Sequence, residues 1–210
     1  MELIKDWEEY KAKCMKCDIC MKEHLLDNHA YPLFRNYPPK SIKILFILEA
    51  PNKDDTYNSL KGYLTVDSNT DPSGRLFFKL FTEALRFDIK DLFITNSVLC
   101  LPGDNKGKRS VKAKQRLNCS ARLKELIDLF NPQIVCTLGV PALLATNLIE
   151  RHNHLQIGYA VGKPLRWYKR ILYPVYHTSL LARNPLNGRP VEQQYKDWKK
   201  LRKLCDDLYI

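Results

Sequence analysis

No stretch of the 210 residues approaches the roughly 20 consecutive apolar residues that a membrane-crossing helix needs. No glycine-rich phosphate loop follows the first apolar run, which argues against the usual small-nucleotide-binding enzymes. No internal repeat or linker breaks the chain, so one domain over residues 1–210 is expected. Acidic residues are scarce beside basic ones, 23 Asp and Glu against 34 Lys and Arg, for a formal charge of +11. That surplus is spread along the whole length and favours a polyanionic partner, above all nucleic acid. The opening Met1-Glu2-Leu3-Ile4-Lys5-Asp6 has no signal-peptide pattern, which predicts a cytoplasmic, intracellular protein. There seven cysteines would stay reduced, and clustered ones point to metal rather than disulfides. A monomer is expected.

What is present is organised around Ile44-Leu45-Phe46-Ile47-Leu48, which ends abruptly in Glu49-Ala50-Pro51-Asn52. A short apolar run closed by turn residues reads as a buried strand. Pro51 has no N–H and cannot extend a central strand, so the Glu49 carboxylate stands at a strand's carboxyl end. In open α/β sheets ligands bind at that edge.

In chain order, residues 3–13 read as a helix that delivers Cys14-Met15-Lys16-Cys17-Asp18-Ile19-Cys20, two overlapping CxxC pairs. Two thiolates at that spacing can grip one metal or one cluster iron. A helix is predicted from Ser73-Gly74 to about Phe87, with Leu76, Phe77, Leu80, Phe81 and Leu85 on its apolar face. Leu92–Val98 reads as a second strand, followed by Cys100 and a basic stretch from Lys106 to Arg116. A helix is expected over Cys119–Phe130, a third strand over Ile134–Gly139, and a fourth, flawed by Pro174, over Ile171–Tyr176. An amphipathic helix covers about 190–207. Cys136 reads as a core thiol, and Cys205 has no evident partner. Strands alternating with helices predict a three-layer α/β/α sandwich around a mainly parallel four-stranded sheet.

Three strand ends then carry Glu49, Asn96 and His177. If the strands are parallel, all three meet at one edge. A carboxylate there can face a developing cation or orient a water, an imidazole can donate to a developing anion, and an amide can read a donor–acceptor edge. Each residue alone is weak evidence, because a lone His or a lone Asn after a strand is usually structural.

The ordered set resembles the family 4, iron–sulfur uracil-DNA glycosylases. The matching stretches are Leu48-Glu49-Ala50-Pro51-Asn52 with Asp54-Asp55, Ser73-Gly74-Arg75-Leu76, Ile94 through Pro102, Cys119, Asn131 through Gly139, and His177 through Pro185. The resemblance implies a DNA partner whose uracil flips into a pocket at the strand ends, since a stacked base is out of reach. It implies Glu49 and His177 as catalytic residues. It implies Ala50, Pro51, Asn52, Asn96 and Ser179 around the base, with Tyr63 as the stacking aromatic. Leu180 and Leu181 would wedge into the duplex with Arg183 beside them on DNA, and the charge of the basic stretch, apart from the resemblance, points to Lys108, Arg109 and Lys112 as further DNA contacts.

The resemblance further implies a structural 4Fe–4S cluster, with zinc as the alternative on spacing alone. Cys100 and Cys119 supply two ligands, and two more come from Cys14, Cys17 and Cys20. Distance to Glu49 favours Cys17 with Cys20, whereas the apolar Ile19 two places after Cys17 favours Cys14 with Cys17. The chain departs from the family's pattern at Leu48 and Asn52, where glycine is usual, and at Thr178, where proline is usual. No histidine lies between Cys100 and Cys119, which argues against the related variant that traps its product covalently. The rival reading is a catalytically weak nucleic-acid-binding module of the same fold.

Overall fold

The computed structural model describes residues 2–27, 30–34, 41–51, 71–103 and 110–210. In chain order the elements are α1 (Glu2–Met15), the short α2 (Ile19–Lys22), β1 (Ile44–Leu48), α3 (Pro72–Lys79), β2 (Phe93–Asn96), α4 (Ala113–Phe130), β3 (Ile134–Leu138), α5 (Val140–Ile149), α6 (Ile157–Ala160), β4 (Leu165–Trp167), β5 (Arg170–Val175) and α7 (Val191–Asp207). The strands form one sheet in the order β2-β1-β3-β5-β4. β2, β1, β3 and β5 run parallel, and β4 lies antiparallel on β5.

The sheet is buried on both faces, which is why its strands read as unbroken apolar runs rather than alternating ones. Ile44, Phe46 and Leu48 pack with α3 and α7, where Phe46 stacks on Trp198 at 5.5 Å. Leu45 and Ile47 face the other way, toward Trp7 on α1, Leu126 on α4 and Leu143 on α5.

Five strands stand where the sequence predicted four. The addition is β4, a three-residue edge strand joined to β5 by Tyr168-Lys169, with Trp167 opposite Arg170. Both turn residues have positive φ, 46° and 58°. Two-residue hairpins of this hand normally announce themselves by Asn-Gly or Asp-Gly, and Tyr-Lys carries no such signal. Pro174 does not break β5. Its carbonyl accepts from Gly162, while the neighbouring Val175 carbonyl accepts from Gly139 at the end of β3. The missing N–H of Pro174 therefore faces the side where β4 has already ended, as a proline in a sheet must.

Two helices also differ from expectation. The predicted helix after Ser73 starts at Pro72, with Asp71 accepting from the N–H groups of Ser73 and Gly74 at 2.9 and 3.0 Å. It continues as a π-helical turn over Leu80–Leu85. Its buried pairs, Leu76-Phe77, Leu80-Phe81 and Ala84-Leu85, recur every four residues. At 3.6 residues per turn such a repeat drifts by about 40° per step, and the wider turn offsets that drift. α4 begins at Ala113, well before the expected Cys119, because Gln115 caps it: its Oε1 accepts from Lys112 N at 2.8 Å.

The loop after β5 is fastened to α7 by Arg189, whose Nε and Nη2 grip the Asp197 carboxylate at 2.8 and 2.7 Å. The Asp197 side chain is only 2% exposed. Arg189→Ala would leave that carboxylate buried and unpaired, so we expect a loss of about 3–5 kcal/mol in denaturant unfolding. Breaking the exposed Lys5–Glu9 pair should cost less than about 1 kcal/mol. Equal losses at the two sites would refute this.

Candidate active site

The chain leaves β1 to pair with β2 on one side and later adds β3 and β5 on the other. Ligands bind in the crevice where a doubly wound sheet reverses in this way, at the carboxyl ends of the strands. A pocket of about 540 Å³ opens there, lined by Glu49, Gly139, Tyr176, His177 and Ser179 among others.

Glu49 follows β1 directly. Its backbone carbonyl accepts from Ser97 Oγ at 2.6 Å and from Val98 N at 3.1 Å, tying the ends of β1 and β2 together. Its carboxylate Oε1 accepts from Val111 N at 3.2 Å. The carboxylate is thus aimed by a backbone donor just ahead of α4. Nothing in the side chain of Val111 could have indicated that role.

His177 follows β5. Ser179 N donates to its Nδ1 at 3.0 Å, so in the neutral ring the proton sits on Nε2. Burial holds the imidazole below its ordinary pKa, against the pull of Asp71 and with the help of Arg183. Gly139, which also lines the pocket, has φ 84°, and a Cβ there would lie 3.3 Å from His177 Cβ. Glycine at the end of β3 is therefore favoured by its positive φ, and a side chain there would also crowd His177 Cβ.

Asn96 ends β2 in register with Leu48. It is 1% exposed, and neither its Nδ2 nor its Oδ1 has a hydrogen-bond partner among the described residues. An amide buried without partners is costly and rare. Its amide carries both donor and acceptor groups, and it stands behind the 540 Å³ pocket rather than among the residues that line it.

Ala50 is half-buried and Pro51 buried beside Glu49. Asn52, Tyr63, Lys108 and Arg109 lie outside the described residues. Lys112 is exposed at the head of α4. Leu180 and Leu181, at the start of a 3-10 turn, are 65% and 89% exposed. The guanidinium of Arg183 turns inward: Nε and Nη2 donate to Thr178 O at 2.9 and 2.6 Å, and Nη2 also donates to Pro72 O.

The N-terminal segment is pinned to the loop after β2 by backbone bonds. Leu33 N donates to Leu99 O, Asp27 N to Leu101 O and Gly103 N to Leu25 O. Cys14, Cys17, Cys20, Cys100 and Cys119 are all free thiols, and they meet where α1, α2, this loop and α4 converge. Burial first, then the neighbouring thiols, pushes Cys119 up to about 12. Cys100 is raised still further by the same causes. Cys20 and Cys17 act on both more strongly than Cys14 does. Cys14 sits in the apolar cluster with Trp7 and Tyr10. Asn118 Nδ2 lies 3.4 Å from Cys20 Sγ. Among the described residues, no three His, Cys, Asp or Glu side chains close a metal-holding group, so the sulfurs are neighbours rather than a formed cage. Cys136 and Cys205 are buried together in the core on the other face of the sheet. Among the described residues no helix is long and apolar enough to cross a membrane.

The family profile described as the uracil DNA glycosylase superfamily matches residues 34–202. Over 90% of its length the chain is 29% identical to a type-4 uracil-DNA glycosylase of Saccharolobus solfataricus, covering 81% of that protein. A type-4 uracil-DNA glycosylase of Sulfurisphaera tokodaii is 27% identical over 98% of this chain and 86% of its own length. One from Thermotoga maritima is 27% identical over 69% of each chain.

Proposed function

The chain belongs to the uracil DNA glycosylase superfamily, and from that premise we propose that it excises uracil, or a related deaminated base, from DNA by hydrolysing the N-glycosidic bond. The product is an abasic site, the first intermediate of base excision repair. The observation that carries this reading is the amide of Asn96, without a hydrogen-bond partner among the described residues and buried one strand away from Glu49. A uracil edge presents an N–H beside a carbonyl, which is the complement of a carboxamide. Glu49 faces the sugar as positive charge develops there and orients the attacking water. His177 donates from Nε2 to the departing uracil anion, and Ser179 holds the ring in that tautomer. Ala50 and Pro51, together with Asn52 and Tyr63, would enclose the base. The exposed Leu180 and Leu181 would enter the gap that it leaves.

The resident cofactor in this reading is a 4Fe–4S cluster on Cys17, Cys20, Cys100 and Cys119. The donor set fits: four free thiols from three parts of the chain converge, and Asn118 Nδ2 stands near one sulfur, as amide donors do at clusters. When bound, the cluster supplies structure, joining the N-terminal segment to the loop after β2. It takes no part in base excision.

The test is an abasic-site assay on oligonucleotides containing uracil, hypoxanthine or xanthine. Cleavage at uracil is expected, and an intact uracil strand at saturating protein would refute the proposal. DNA affinity should also fall steeply with salt, by about 0.9 in log–log slope per neutralised phosphate on duplex DNA. Replacing Lys108, Arg109 and Lys112 by Ala should flatten that slope, and an unchanged slope would remove these residues from the DNA-binding face.

A further inference from the structure

Arg183 sits in the segment that the resemblance assigns to DNA, yet its bonds run into the protein. Nε and Nη2 both donate to Thr178 O, and Nη2 also reaches Pro72 O at the first residue of α3. The same peptide unit, Thr178 C=O joined to Ser179 N–H, donates at its other end to His177 Nδ1 at 3.0 Å. The structure has no cis peptide among the described residues. In a planar trans peptide the C=O and the N–H point in opposite directions, so a guanidinium that fixes the oxygen also fixes where the hydrogen points. Charge-assisted bonds to the oxygen further polarise the amide and strengthen its N–H as a donor. Thr178 is 1% exposed, so water does not compete for this carbonyl. The bond to Pro72 O references the assembly to a second element, whose first turn is itself capped by Asp71.

We propose that Arg183 is a positioning residue that acts through the Thr178–Ser179 peptide to hold His177 in the tautomer with its proton on Nε2, facing the pocket. This rests on the reading of His177 as the donor to the departing base. It gives Arg183 a part in the reaction that does not require contact with a phosphate.

The experiment compares single-turnover excision of uracil from duplex DNA by wild-type protein, Arg183→Ala, Arg183→Lys, His177→Ala and the double variant. DNA affinity is measured as a function of salt for each. Arg183→Ala should slow excision at saturating enzyme by about tenfold or more, less than the loss of a direct donor. Its DNA affinity and salt slope should stay at wild-type values, and Arg183→Lys should recover part of the rate. In the His177→Ala background, removing Arg183 should cost nothing further. The ring nitrogen spectrum of ¹⁵N-histidine-labelled wild-type protein should show His177 protonated at Nε2 with Nδ1 as acceptor. That measurement stands even if Arg183→Ala does not fold.

A wild-type excision rate with a salt slope lowered by about 0.9 would make Arg183 a phosphate contact and overturn the proposal. So would the same fold-loss with and without His177, or a ring protonated at Nδ1. If wild-type protein leaves uracil DNA intact, the glycosylase reading itself has failed. If wild type cleaves and Arg183→Ala cleaves equally well, only the positioning role has failed.

Discussion

Glu49→Gln and His177→Ala should each slow single-turnover uracil excision by about 10²–10³, the usual cost of removing one group poised at a transition state. Glu49→Gln keeps an oxygen for Val111 N to bond at the position now held at 3.2 Å, so the strand end should not move. What it removes is negative charge beside the sugar. His177→Ala removes a ring that already accepts from Ser179 N through Nδ1, so its Nε2 proton is in place to donate when uracil leaves. The pH dependence has a defined sign. Burial lowers the His177 pKa below the ordinary imidazole value of about 6.5. Between the folded and unfolded values the unfolded chain binds the extra proton, so this group's contribution to stability falls as pH drops below about 6.5 and is constant above it. The His177→Ala protein should lose that portion of its acid sensitivity. Full-speed excision by both variants would remove Glu49 and His177 from the reaction.

The parts of the fold that could be read from sequence are those in which burial writes itself into composition. β1 is buried at every position, so Ile44–Leu48 shows no alternation and could be placed to the residue. The polar residues that end such runs, Glu49, Asn96 and His177, were legible for the same reason: each marks the end of an apolar strand at one edge of one sheet. The parts that stayed hidden depend on backbone groups or on geometry without a side-chain signature. Tyr168-Lys169 turns a hairpin with two non-glycine residues at positive φ. Ala113–Asn118 looks like the tail of a basic loop, yet it is the first turn and a half of α4, capped through the buried Gln115. The Val111 N–H that aims Glu49 is invisible in a valine. Arg183 reads as a surface cation, and only the structure turns it toward Thr178. Cysteine spacing placed Cys17 in either candidate pair but left Cys14 and Cys20 as rivals for the other place, because choosing between them needs the packing of α1.

That packing separates them in the remaining prediction. Anaerobically purified protein should be brown and contain iron and acid-labile sulfide in equal amounts. Cys17→Ser, Cys20→Ser, Cys100→Ser and Cys119→Ser should each reduce iron to near zero. Cys14→Ser should keep it, because Cys14 is 1% exposed and packed against Trp7 and Tyr10 on the inner face of α1. Cys17 and Cys20 lie past the end of that helix, and both act on Cys100 and Cys119 more strongly than Cys14 does. Cys136→Ser and Cys205→Ser should also stay brown, since both sulfurs are buried in the core on the opposite face of the sheet. Loss of iron should not unfold the whole chain. The backbone bonds from Leu33 N to Leu99 O and from Gly103 N to Leu25 O remain without metal, so the damage should appear as faster proteolysis near α2 and a lowered unfolding midpoint. Four ligand thiolates are needed to close a cubane site, so a single serine is enough to open it. A brown Cys20→Ser protein beside a colourless Cys14→Ser protein would move the ligand pair to Cys14 and Cys17. A colourless wild type with one zinc per chain, or with seven titratable thiols and no metal, would overturn the cluster altogether.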